Sequence, residues 1–168
     1  MTRVAAVLET SFWVAGYRAE ICANLLDLFD LIPPSAVEEE IFENDPRFPQ
    51  SEFPYTTLFR HLRSHMTNPP SPEPTAVASL GKGEAAAIAL AQHLHAPLLI
   101  NERRGVAFAR ALGLVTVSVP SVVVAIYERG VISDRAACRK LQLIEGITPP
   151  TFIRDAKAAL AALGAVCP

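Results

Sequence analysis

The stretch that decides the fold reads GEAAAIALA at 83–91 and, after a short loop, LLINERRG at 98–105. The first part is a helix of small apolar residues that opens with Glu84, and the second is a short apolar strand followed by Glu102. Open α/β sheets bind ligands beyond the carboxyl ends of their strands, which is where Glu102 lies. The stretch therefore predicts an α/β sheet with an acidic site.

Composition indicates a folded domain. The 168 residues can bury a real core, and hydrophobic residues (51%) far outnumber charged ones (19%), which excludes a disordered chain. The net charge is −2, so any nucleic-acid partner must be held by a local basic patch rather than by the field of the whole molecule.

The cysteines and the apolar runs indicate a cytoplasmic protein. Cys22, Cys138 and Cys167 are scattered and form no Cys-x-x-Cys pair, so we expect reduced thiols, without a disulfide or a zinc site. No apolar run approaches the ~20 residues that a membrane span needs. We expect no membrane association.

The hydrophobic runs alternate between short strands and helices. Strands are predicted at 4–8, 97–101 and 114–119, and helices at 83–95, 106–112, 120–127, 134–145 and 152–163. A helical stretch is expected to reach Phe29, and a helix from Ser35 to about Phe42 is expected to begin with a Ser35–Glu38 capping box. This alternation predicts an α/β fold with a central, mostly parallel sheet.

We expect the chain to form a single domain over 1–168. Half of the 14 prolines fall within 45–75, which is predicted to be an insertion with one short helix near 56–66. Residues 131–168 are predicted to form a helical carboxyl-terminal portion.

Two glutamates on helices are candidates for the site. Glu40 lies beside the buried face that Val37 and Ile41 mark, and Glu84 shares a stripe with Ile88. The helix dipole gives an alternative reason for an acid at position 84, because it favours negative charge in the first turn by ~0.3–1 kcal/mol.

Two further glutamates, Glu9 and Glu102, follow apolar strands, although either could be an ordinary loop acid. Four converging carboxylates would repel one another, and a hard cation with oxygen ligands would neutralise them. Convergence would therefore imply Mg²⁺ or Mn²⁺, which suits phosphodiester hydrolysis.

These residues resemble the PIN-domain nucleases, in the branch with a Gly-Glu-Ala-x-Ala-Ile-x-Leu-Ala helix followed by a strand and an acidic, arginine-containing loop. The resemblance covers nearly the whole chain and implies a three-layer α/β/α domain. It assigns the family's four acids, as catalytic metal ligands, to Glu9, Glu40, Glu84 and Glu102. Ser11 would support Glu9 by hydrogen bonding, and Asn101 lies beside the fourth acid.

The same resemblance implies a Mg²⁺- or Mn²⁺-dependent endoribonuclease of the toxin–antitoxin type, with a homodimer and an antitoxin partner. Arg60, Arg63, Arg103 and Arg104 are candidates for holding RNA, and Tyr55 and Phe59 could stack bases if exposed. The alternative for these residues is solvated helix-face charges and a local core.

The chain also departs from the family pattern. The family favours Asp at the positions of Glu9 and Glu102 and often at Asn101. The alternative function is therefore a non-catalytic PIN-like module that binds RNA or a protein.

Overall fold

The computed structural model describes residues 2–44, 46–76 and 80–167. Within them, four parallel strands form one sheet in the order β2-β1-β3-β4. The strands are β1 (Val4–Leu8), β2 (Phe29–Ile32), β3 (Leu98–Leu99) and β4 (Thr116–Val117). Leu8 pairs with Leu99, so the carboxyl ends of β1 and β3 are neighbours and the residues that follow them meet.

Helices cover both faces of the sheet, which confirms the predicted three-layer α/β/α architecture and the helical carboxyl-terminal portion. The helices in the described residues are α1 (Thr10–Arg18), α2 (Cys22–Leu28), α3 (Ser35–Ile41), α4 (Pro54–Leu62), α5 (Lys82–Leu94), α6 (Arg103–Ala111), α7 (Val119–Glu128), α8 (Asp134–Ile144) and α9 (Pro150–Ala162). Helix α3 packs on α5, and α7 packs on α8 and α9. None of them is long and apolar enough to cross a bilayer.

The expected helical stretch to Phe29 is wrong at its end. The chain takes a left-handed conformation at Glu20 (φ 58°), resumes as α2, and then enters β2 beside β1. Leu31 is fully buried in this strand. Hydrophobic periodicity alone cannot separate so short an apolar run from the end of a helix.

The predicted capping box at the start of α3 is also wrong. Pro34 is the N-cap residue and has no capping side chain, and the Ser35 backbone N–H donates to Glu73 instead. The Ser35 hydroxyl donates to Glu73, while Glu38 forms an ion pair with Arg63 at 2.6 Å. Both side chains bind partners that are distant in the sequence, which a local motif cannot reveal.

The segment 45–75 carries α4 and a short 3-10 helix at Arg63–His65. Phe59 is fully buried and meets Trp13 edge to face, with ring centroids 5.2 Å apart. The Trp13 indole N–H also donates to the Tyr55 carbonyl at 2.9 Å. Helix α4 is thus part of the core, and Phe59 cannot stack an RNA base.

The expectation of three reduced thiols is wrong for two of them. Cys138 and Cys167 form a disulfide, with Cα atoms 5.6 Å apart, while Cys22 is a buried free thiol. The carboxyl-terminal tail folds back onto α8, where the Val166 N–H donates to Asp134 at 3.0 Å. This return brings together cysteines 29 residues apart, which their spacing in the sequence does not indicate.

Candidate metal centre

Glu9 and Glu102 lie where the two central strands end and helices begin. The Glu9 N–H donates to the Leu99 carbonyl at 3.1 Å, which continues the pairing of β1 with β3. Glu9 is the N-cap of α1, and Glu102 is the N-cap of α6. Both carboxylates therefore accept from N–H groups in the first turn of a helix, which have no acceptor within the helix and where negative charge is favoured.

The Glu9 carboxyl is almost completely buried. It is 6% exposed and accepts from the Ser11 backbone N–H at 2.8 Å and from the Ser11 hydroxyl. Burial raises the pKa of Glu9 to about 7; the hydrogen bonds from Ser11 oppose this rise, and the nearby Glu84 and Glu40 add to it. Glu9 is thus half protonated near neutral pH when no cation is bound.

Glu40 connects three elements. One carboxylate oxygen accepts from the Thr10 hydroxyl at 2.5 Å, at the start of α1, and the other accepts from the Gly83 N–H at 2.7 Å, at the start of α5. A Cβ on residue 83 would lie 2.6 Å from Glu40 Oε1, which is closer than real contacts allow. Glycine at position 83 therefore permits α5 to approach this carboxylate.

Glu84 projects from the first turn of α5 towards Glu102. Its Oε1 atom is buried and has no hydrogen-bond partner in the described residues. Burial raises the pKa of Glu84, and the neighbouring Glu102 carboxylate raises it further. A Cβ on Gly105 would overlap the Glu84 carboxylate and lie 2.5 Å from Ile100 Cδ1, so glycine is required there as well.

Glu102 is held in its charged form. Its oxygens accept from the Arg104 N–H at 2.9 Å and from the Gly105 N–H at 2.7 Å. Burial alone would raise its pKa, but these bonds, together with the bond from Glu84, outweigh burial and lower the pKa of Glu102. The proximity of the two acids thus shifts their pKa values in opposite directions, up for Glu84 and down for Glu102.

The four acids singled out in the sequence line one open cavity of about 340 Å³. Its lining residues are Glu9, Ser11, Glu40, Gly81, Glu84, Glu102 and Arg104. Among the described residues that line it, only Arg104 brings a positive side chain, so acidic groups outnumber basic ones in the cavity.

The donor set of the cavity fits a hard divalent cation. All four acids offer oxygen, which Mg²⁺ and Mn²⁺ prefer, and the buried Glu84 Oε1 has no hydrogen-bond partner within the described part of the chain. In the part of the chain described, no three acidic, histidine or cysteine side chains are already grouped as metal ligands. Several of the carboxylate oxygens are instead turned towards N–H and hydroxyl donors, so a cation would draw them inward.

Asn101 is buried and bound away from the cavity. Its side-chain amide donates to the Thr148 hydroxyl at 3.0 Å and accepts from the Val119 N–H at 3.1 Å, while its backbone N–H donates to Ser11 Oγ at 3.1 Å. Asn101 therefore joins the end of β3 to α7 and to the loop before α9.

The four candidate RNA-binding arginines do not lie together. Arg104 lines the cavity, and Arg103 is exposed beside it in sequence. Arg60 pairs with Glu52 at 2.8 Å, and Arg63 pairs with Glu38; neither lines the cavity.

Three residues that were not candidates for the site contact its carboxylates: Thr10, Gly83 and Gly105. The two glycines had a signal, because they belong to the Gly-Glu-Ala and Arg-Arg-Gly motifs. The stretch that contains Thr148 resembles the family, but its contact with Asn101 had no local signal, because the two residues are 47 positions apart.

A family model described as a PIN domain matches residues 7–145. The chain belongs to the PIN-domain family. PIN domains are typically nucleases that cleave RNA, and they generally use divalent metals. The match spans the PIN domain from β1 to the end of α8, so α9 and Thr148 lie beyond it. No curated protein matches the chain.

Proposed function

We propose that this PIN domain is a Mg²⁺- or Mn²⁺-dependent endoribonuclease, with Glu9, Glu40, Glu84 and Glu102 as its catalytic metal ligands. One observation carries the proposal: four carboxylates line one cavity, and a buried oxygen of Glu84 has no partner in the described residues. Such an arrangement is unfavourable without a cation, because the acids repel one another and one carboxyl oxygen is desolvated without compensation.

Each residue then has a definite task. Ser11 orients Glu9, while Thr10 and the Gly83 N–H orient Glu40. A cation beside Glu84 would favour its charged form, opposing the effect of burial and of Glu102 on its pKa. A divalent cation supplies polarisation of the phosphoryl oxygen and activation of water. Arg104, at the rim of the same cavity, would contact the phosphate, because guanidinium matches phosphate geometry.

The wider biological role is a proposal that rests on resemblance alone. We propose that the chain is the toxin component of a toxin–antitoxin pair, which acts as a cytoplasmic homodimer and is inhibited by an antitoxin protein. Arg103, Arg60 and Arg63 would contact RNA outside the cavity.

The nuclease proposal is tested with labelled RNA in Mn²⁺, in Mg²⁺ and in excess chelator. Glu84→Gln removes one negative ligand with little change in size, so we expect cleavage to fall at least ~100-fold while the variant remains folded. Glu39→Gln is the matched control, because Glu39 is an exposed glutamate that pairs only with Lys82 in the described residues. Metal-dependent cleavage retained by Glu84→Gln would overturn the assignment.

A second candidate is a non-catalytic module that binds RNA or a protein. The observation in its favour is that the carboxylates of Glu9, Glu40 and Glu102 already have protein donors, while Asn101 is held in structural hydrogen bonds. Such a module would leave RNA intact under all conditions and would keep its RNA affinity in chelator.

A further inference from the structure

Thr148 lies outside the residues that match the family, yet a line of buried polar contacts joins it to the carboxylate site. The Asn101 amide donates to the Thr148 hydroxyl at 3.0 Å, and the Asn101 backbone N–H donates to Ser11 Oγ at 3.1 Å. Ser11 then donates to Glu9 through its hydroxyl and its N–H. Thr148, Asn101 and Glu9 are 5%, 2% and 6% exposed.

We infer that Thr148 is a positioning residue of the metal centre, which acts through Asn101 and Ser11 on Glu9. This inference rests on the proposed function, since it assumes that Glu9 holds a cation. It assigns to the carboxyl-terminal extension a part in the site, rather than only a part in packing.

The direction of these hydrogen bonds explains how Thr148 can influence Glu9. A serine hydroxyl has one proton, and Ser11 Oγ accepts from the Asn101 N–H, so its own proton is left for Glu9. The Asn101 backbone N–H can donate to Ser11 Oγ only while Asn101 keeps its position. Two side-chain contacts keep it there, one to Thr148 and one from the Val119 N–H.

The contact with Thr148 cannot be replaced by water without a rearrangement, because both residues are buried. Removing one partner from a buried hydrogen bond leaves the other unsatisfied. Asn101 would then turn towards a new acceptor and shift its backbone N–H. Substitution of a group that orients a metal ligand through hydrogen bonds typically lowers metal affinity 10- to 100-fold.

Three variants separate the hydroxyl from the packing. Thr148→Val keeps the shape and removes the acceptor, whereas Thr148→Ser keeps the acceptor. Thr148→Ala removes the same acceptor without a branched side chain and replaces the valine variant if that protein does not fold. Thr151→Val is the matched control, because Thr151 is an exposed threonine on α9.

The first measurement is Mn²⁺ affinity by calorimetric titration of the folded proteins. We expect Thr148→Val to bind Mn²⁺ about ten-fold more weakly than wild type, and Thr148→Ser and Thr151→Val to stay within two-fold. Ser11→Ala should weaken binding as well, and Thr148→Val should add little in that background, because both substitutions interrupt one line.

The second measurement needs no metal. Amide hydrogen exchange in chelator should be faster at Asn101 and Ser11 in Thr148→Val, with reference amides in the middle of α5 unchanged. A wild type that binds no Mn²⁺ would overturn the proposed function, and the exchange rates would then decide whether the line from Thr148 exists.

The inference is overturned by any of three results: wild-type affinity and exchange in folded Thr148→Val, an equal loss in Thr148→Ser, or a full additional ten-fold loss of affinity on the Ser11→Ala background.

Discussion

At the scale of the residue, burial sets the charge of Glu9. Its pKa is raised from 4.5 to about 7, and the unfolded chain would release the same proton near pH 4.5. Between these values the folded protein binds more protons than the unfolded chain, so the free energy of unfolding falls as the pH rises. The stabilising effect of protonated Glu9 is complete below about pH 4.5 and is lost as the pH rises through about 7.

This predicts a pH dependence of stability to which Glu9 makes a separable contribution. In chelator, we expect Glu9 to lower the free energy of unfolding by roughly 3 kcal/mol between pH 4.5 and 8. Urea unfolding at several pH values measures it, with Glu9→Gln as the comparison, since glutamine cannot ionise. If both proteins show the same slope, Glu9 is not the titrating group.

The candidate site could be predicted from residue types and positions, but not its internal contacts. Glu9 and Glu102 were found because they follow strands, and Glu40 and Glu84 because of the helix faces on which they lie. Hydrogen bonds such as those from Thr10 to Glu40 or from Asn101 to Thr148 join residues 30 and 47 positions apart. A single sequence has no local signal for such pairs.

At the scale of the element, the contact between α3 and α5 depends on Gly83. A Cβ there would meet only the end of the Glu40 side chain, at 2.5 to 2.6 Å for Cδ and Oε1, and not the backbone of α3. The fold can therefore accept alanine by moving the carboxylate, and alanine in a helix is favoured over glycine by up to ~1 kcal/mol. The proposed metal site, in contrast, needs the Glu40 carboxylate close to its present position.

We expect Gly83→Ala to weaken Mn²⁺ binding at least ~10-fold, with a midpoint of thermal unfolding within about 4 °C of wild type. Titration and thermal unfolding of the same sample measure both effects. Gly146→Ala is the control, because a Cβ at position 146 would meet nothing within 4 Å. A large loss of stability with unchanged affinity would show that Gly83 serves packing instead.

The elements were predictable where they are long or clearly bounded. Helices α5, α8 and α9 follow from apolar periodicity, and Gly113 and Gly130 take the positive φ that ends the preceding helices. β2 was missed because only its pairing with β1 makes it a strand. The strands β3 and β4 are two residues each, shorter than the apolar runs that contain them.

At the scale of the whole molecule, the disulfide closes a loop of 29 residues from Cys138 to Cys167. Constraining a loop of this length in the unfolded chain stabilises a fold by about 3 to 4 kcal/mol in the chain-entropy account. We expect urea unfolding of the wild type to lose about this much in dithiothreitol. The Cys138→Ala/Cys167→Ala variant should be insensitive to the reductant, and the same sensitivity in both proteins would contradict the prediction.

Although the order of the strands was not predicted, because β2 was missed, the parallel sheet with the acidic residues beyond its strand ends followed from the alternation of strands and helices and from the family resemblance. The path of the carboxyl-terminal tail could not be predicted, because apolar spacing gives no information on which element a chain terminus packs against.

The hydrogen bonds from α1, α5 and α6 to the carboxylates also bear on how the protein would acquire its metal. Because N–H and hydroxyl groups of the chain already support Glu9, Glu40 and Glu102, the helices around the cavity need no cation to hold them, and only the carboxylates would move when one binds. Folding and metallation are then separate events. Under the proposed function, a chelator would remove the metal without unfolding the polypeptide, and the proportion of active molecules in a cell would follow the supply of the divalent ion.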